Sequence, residues 1–127
     1  MHDAPSTAEL VEAVKRFIDD TAAPQLTGHA AFHARVASNV LSTVLRELEQ
    51  RPDAESSERA RLIQLLSADP AASLSSLNRT LCERIQSGEM DLSTDGLLDH
   101  LKTTTIAQLS VDQPHYSGLA RALHPRS

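Results

Sequence analysis

The chain has 127 residues, with 12 basic against 17 acidic side chains, a net charge of −5, two Phe, one Tyr and no Trp. So acidic and aromatic-poor a chain lacks both the cationic footprint and the stacking surfaces of a nucleic-acid binder. No apolar run approaches the ~18 residues that span a bilayer, and the start Met1-His2-Asp3-Ala4-Pro5 lacks the basic-then-apolar order of a secretory signal. The lone Cys82 rules out an internal disulfide framework and fits a reducing, cytoplasmic setting. At 40% hydrophobic and 23% charged the composition is globular. One domain over 1–127 is expected, with a flexible start at 1–5 and a tail at 112–127.

Apolar residues recur at helical spacing rather than by alternation. The first helix is expected near 6–20. Ser6 and Glu9 have the spacing of a capping box, and Leu10, Val11, Val14, Phe17 and Ile18 follow within an arc of about 120°. Asp19, Asp20 and Pro24 are read as its stop. A second, longer helix is expected from Thr27-Gly28 to about Gln50, before Pro52, with Val36, Ala37, Val40, Leu41, Val44, Leu45 and Leu48 on its apolar arc. A third is expected over 54–68, polar in its first half, with only Leu62, Ile63, Leu65 and Leu66 able to reach a core; Asp69-Pro70 ends it. The fourth, about 73–87, carries Leu74, Leu77, Leu81, Cys82 and Ile85, with Gly88 placed for a left-handed cap. The fifth starts near Ser93 or Thr94 and runs to about Ser110, with Leu97, Leu98, Leu101, Thr105 and Leu109 facing inward. The pattern predicts an all-α fold, an up-and-down helical bundle of about five helices with an irregular C-terminal tail.

Polar residues inside apolar arcs are the candidates for function, because burying one without a partner costs about 1–3 kcal/mol. His29 and His33 stand one turn apart within the stripe of the second helix. That is ligand spacing for a metal, but no third ligand is spaced to complete a site. One partly exposed and one hydrogen-bonded core histidine is the simpler reading, and no metal is assigned. Beside them Arg35, Asn39, Ser42 and Arg46 form a polar stripe next to Phe32, able to fork onto a carboxylate or phosphate or to pair with Glu9, Glu12 or Asp99. Asn78 falls within the Leu74–Leu81–Ile85 arc. Its amide needs partners, which a backbone group or a polar residue of the second helix would supply, fixing which helices pair. Cys82 reads as a small core residue without an activating base. Tyr116 stands in a Pro/Gly-bounded segment, as an anchor for the tail or as a residue aimed into a cleft.

Phosphate loops, nucleophile elbows and carboxylate pairs are absent, so no catalytic residue and no cofactor is assigned, and a non-enzymatic role is favoured. The start Met1-His2-Asp3-Ala4-Pro5 with Glu9-Leu10, the run Phe32-His33-Ala34-Arg35-Val36-Ala37 with Asn39, the pairs Leu77-Asn78 and Leu81-Cys82, and Val111-Asp112, Pro114 and Tyr116-Ser117-Gly118 resemble a family of small bacterial proteins defined only as a domain of unknown function. The likeness covers roughly 2–120. Its genes often lie beside those of acyl-CoA dehydrogenases and aminoglycoside-phosphotransferase-like kinases. The resemblance therefore implies an accessory role in acyl-CoA or related metabolism, with one of those enzymes as partner.

Two readings follow. In the first the chain is a non-catalytic interaction protein that docks on a partner enzyme or forms a homodimer, and it should expose a large apolar patch. In the second it is a small-molecule binder for an anionic ligand, or a weak enzyme, with His33, Arg35, Asn39, Asn78 and Tyr116 around one pocket.

Overall fold

Ser6 starts the first helix as its spacing from Glu9 predicts. Its hydroxyl accepts from the Glu9 amide at 3.2 Å, and the Glu9 carboxylate accepts from the Ser6 amide at 2.8 Å. In the computed structural model, which describes residues 4–125, this helix, α1, spans Thr7–Phe17. It is followed by α2 (Gly28–Leu66), α3 (Leu74–Gln86), α4 (Leu97–Asp112) and α5 (Ser117–Leu123), with no strand among the described residues. The all-α architecture is as expected. The chain divides into two compact units, Met1–Arg51 and Pro52–Ser127.

In the first unit, Asp19, Asp20 and Pro24 change the helix type instead of ending the helix at 20. A π-helical turn covers Ile18–Ala22 and a 3-10 turn Ala23–Gln25. Pro24 lies in the first positions of that turn, where an amide hydrogen would have no partner in any case. Asp19 accepts from Lys15 at 2.6 Å and from the Ser38 hydroxyl on α2. Lys15 first, then Ser38, holds the Asp19 carboxyl below the ordinary carboxylate range. Ser38 is 6% exposed and is the one buried residue among those described in this unit.

The helices expected at 27–50 and 54–68 are one helix of 39 residues, with Pro52 inside it. Proline removes one ladder donor and crowds the carbonyl four residues back, at about 3 kcal/mol. The pyrrolidine ring itself holds φ near the helical value, so the cost falls on the lost donor and the crowded carbonyl alone. The break read from Pro52 is therefore a local cost and not an end.

In the second unit the core is Leu62, Leu66, Leu77, Leu81, Met90 and Leu97. It draws on the apolar second half of the expected third helix, as its sequence suggested. Ser73 caps α3 by accepting from the Ser76 amide at 3.1 Å, and Gly88, at φ 81°, takes the left-handed conformation just past its end. The last carbonyl of α2, on Leu66, accepts from Arg84 at 3.2 Å, while Arg59 donates to Ala72 O at 2.9 Å and to Pro70 O. Cations here satisfy acceptors that a helix end and the following loop leave without ladder partners.

Helix α4 begins three to four residues later than expected, because Asp91, Ser93 and Thr94 close a turn of their own. The Asp91 amide donates to Thr94 Oγ1 at 2.9 Å, and Ser93 donates from its amide and hydroxyl to Asp91. Its buried face is also rotated from the expected one. Leu97, His100 and Val111 are buried with Thr104 and Ala107 half-buried between them, whereas Leu98 is 59% exposed. The expected tail holds α5, and Leu119 is its buried residue. The outermost residues of the expected loose ends, 1–3 and 126–127, lie outside the described residues.

Candidate functional site

The five candidate residues divide between the two units. In the first, His33, Arg35 and Asn39 are all exposed on α2. His33 stands edge-on to Phe32 with ring centroids 5.6 Å apart, and Asn39 offers its backbone carbonyl to the Thr43 hydroxyl at 3.3 Å. The core position expected of His33 is corrected. The stripe that α2 covers in this unit runs through Ala31, Ala34, Ser38, Leu41 and Leu45, and His33 lies off it. His29 is exposed as well.

In the second unit, Asn78 is half-buried and donates from Nδ2 to Glu58 Oε1 at 3.2 Å. The partner is a side chain, but it comes from the segment expected as the third helix (54–68) and not from the expected second helix (27–50). Tyr116 is 51% exposed, with its ring folded back over Gly118: a Cβ on that glycine would lie 2.4 Å from Tyr116 Cε1. Cys82 is exposed, contrary to its expected place in the core. One residue along from buried Leu81, it is rotated about 100° away from the core face.

Two of the acidic partners expected for the arginines, Glu9 and Glu12, are engaged elsewhere, and Asp99 lies in the second unit. Glu9 closes the capping box and Glu12 pairs with Arg16 at 3.4 Å. Within each unit, no hydrogen bond joins any two of the five candidates.

A different cation and imidazole meet in the second unit. The Arg61 guanidinium on α2 donates from Nε to His100 Nδ1 at 3.3 Å, from one terminal nitrogen to Ser57 Oγ at 3.0 Å and from the other to Thr104 Oγ1 at 3.1 Å. His100 is 4% exposed. Burial, reinforced by the Arg61 charge and opposed by Glu58, holds its pKa below the ordinary histidine range. The ring is therefore neutral near pH 7. With Nδ1 accepting, its one proton is on Nε2.

This pair borders a cavity of about 440 Å³, together with Gln64, Asp95, Asp99 and Thr103. A second groove in the same unit, about 520 Å³, is lined chiefly by apolar side chains of α4 and α5, among them Leu98, Leu101, Leu109 and Tyr116. Sequence reading missed His100 because three leucines on the other sides of α4, Leu98, Leu101 and Leu109, outweighed it. The signal was present: Leu97, His100, Thr104, Ala107 and Val111 follow at i, i+3, i+7, i+10 and i+14, the spacing of one helical face.

Most of the exposed large apolar side chains lie in the first unit. Leu10, Val14 and Phe17 on α1 are 52–59% exposed, and Phe32, Val36, Val40, Val44 and Leu48 on α2 are 37–56% exposed. Among the described residues no group of three or more His, Cys, Asp or Glu side chains could hold a metal ion, and no helix is long and apolar enough to cross a membrane. Comparisons with curated proteins and with solved structures give no match. A family model described as a domain of unknown function, DUF6285, matches residues 24–116, and the chain belongs to that family.

Proposed function

We propose that the protein is a non-catalytic interaction module whose first unit docks on a partner protein through the apolar stripes of α1 and the first half of α2. One observation carries this reading. The described residues of the first unit include no buried apolar side chain, while eight large apolar side chains stand in water at helical spacing. Soluble monomers rarely leave so much contiguous apolar surface uncovered. Eight side chains about half exposed present several hundred Å², the scale of the ~800 Å² that one partner contributes to a standard interface.

The two stripes suit a helical partner. Leu10, Val14 and Phe17 lie at i, i+4 and i+7, within about 60° of one another. The α2 stripe repeats every four residues, so it advances about 40° per step and winds slowly round its helix. A helix laid against either stripe would cover side chains three and four residues apart, as in helix-in-groove recognition.

The partner classes implied by the family resemblance are an acyl-CoA dehydrogenase and a kinase-like phosphotransferase, and association with one of them is the finer form of the proposal. The test uses Val36→Glu/Val40→Glu, two exposed positions where charge does not disturb a core. Calorimetric titration of each enzyme class with the wild-type chain should give saturable binding, and the double variant should bind at least about tenfold more weakly with its helical content unchanged. Equal affinity of the two chains would overturn the docking surface. Absence of binding to both enzyme classes would overturn the partner assignment, and a wild-type chain that is also monomeric by light scattering would end the reading.

A further inference from the structure

The cavity beside His100 is lined by side chains of both charges, Arg61 and the carboxylates Asp95 and Asp99. Arg61 is half-buried, with three of its five N–H donors on His100, Ser57 and Thr104, none of which carries a negative charge. None of the ion pairs Lys15–Asp19, Arg16–Glu12 and Arg51–Glu47 involves Arg61, whose side-chain hydrogen bonds all go to uncharged groups. A half-buried guanidinium whose hydrogen-bond partners are all uncharged can still take an anionic group from outside as a forked pair.

His100 points to a ligand independently. Its Nδ1 is occupied by Arg61, and that is the only hydrogen bond the ring makes. Among the described residues, no fully buried side-chain nitrogen or oxygen lacks a partner. Nε2–H is therefore not sealed in protein, and His100, itself 4% exposed, lines the cavity. It is a fixed donor, because the Arg61 bond determines which nitrogen carries the proton.

Asp95 and Asp99, of the opposite sign, border the same cavity and are exposed. An anion held by Arg61 would share the cavity with two carboxylates, and a cation held by those carboxylates would share it with the guanidinium. A molecule carrying both charges satisfies both. At about 440 Å³ the space falls in the range of small-molecule sites.

We propose that this cavity binds a zwitterionic small molecule of the amino-acid class, with its carboxylate on Arg61 and His100 Nε2–H and its ammonium group toward Asp95 and Asp99. The site lies wholly within the second unit, so it is independent of the docking surface on the first.

The test is an NMR titration of the full chain that follows the His100 ring signals. The probes are the common L-amino acids, with acetate and methylamine as single-charge controls. At least one amino acid should give saturable shifts of the His100 ring, with affinity about tenfold or more above both controls. Asp95→Asn/Asp99→Asn, at exposed positions that leave the core intact, should weaken that amino acid about tenfold while leaving acetate no weaker. Arg61→Lys, which keeps the charge but loses the fork, should weaken it as well. If no amino acid moves the His100 ring, if acetate binds as well as every zwitterion, or if Asp95→Asn/Asp99→Asn binds unchanged, the proposal fails.

Discussion

Arg61 and His100 stand 39 positions apart in the chain and meet at 3.3 Å, the guanidinium donating to a ring nitrogen that must be unprotonated to accept. The contact joins α2 to α4 and sets the tautomer of the buried imidazole. It also makes the fold sensitive to acid. A proton added at Nδ1 would point at a donor and leave two positive groups in contact away from water.

The expected consequence is a pH-dependent stability with a defined sign. The His100 pKa is lowered in the fold by burial and by Arg61, so below the ordinary histidine value of about 6.5 the unfolded chain binds the proton first. Stability contributed by neutral His100 is then fully present above that value and is lost as pH falls through the lowered folded pKa. Urea unfolding at a series of pH values should show a decline on the acid side that His100→Gln reduces. A variant with the same acid limb as wild type would show that His100 does not carry it.

The two units should respond differently to truncation. Leu77 is 2% exposed and touches the core of the second unit, whereas Val40 in the first is 56% exposed. Leu77→Ala should cost about 2–5 kcal/mol through lost burial and a residual cavity. Val40→Ala should change stability by less than about 0.5 kcal/mol in the isolated chain. Chemical unfolding of both variants makes the comparison, and a large loss at Val40 would mean that its surface is already covered in solution.

Pro52→Ala should stabilise α2. Alanine restores the amide donor for the carbonyl of Leu48 and removes the ring from the turn, worth up to ~3 kcal/mol on helix-propensity scales. Thermal melts followed by circular dichroism should shift upward. An unchanged or lowered melting temperature would mean that the chain at Pro52 is held by something other than the helix ladder.

Gly118→Ala places a methyl group where the ring of Tyr116 now lies, 2.4 Å from its nearest carbon. Because that ring is half exposed, it can swing away, and the stability loss should stay near ~1 kcal/mol. The chain has one tyrosine and no tryptophan, so intrinsic fluorescence reports the movement directly. Acrylamide quenching should rise in the variant; identical quenching would place the ring elsewhere.

The sequence by itself determined the all-helical class and most helix positions, because capping residues, left-handed glycines and 3.6-residue periodicity act over one or two turns. The Ser6–Glu9 box, the cap after α3 at Gly88 and the core role of Leu62 and Leu66 were all legible in this way. Pro52 misled because local propensity states a cost without saying whether neighbouring turns can bear it. Only the tertiary structure decided which face of α4 turns inward, since a helix with leucines on several sides has no single preferred face until its neighbours are placed. The same holds for the meeting of Arg61 with His100: contacts across dozens of residues depend on packing, and no spacing rule along the chain encodes them. Tertiary packing also left the stripes from Leu10 to Leu48 in water, where periodicity alone reads them as core. An apolar stripe specifies that something should cover it, and the fold determines whether this chain supplies the cover.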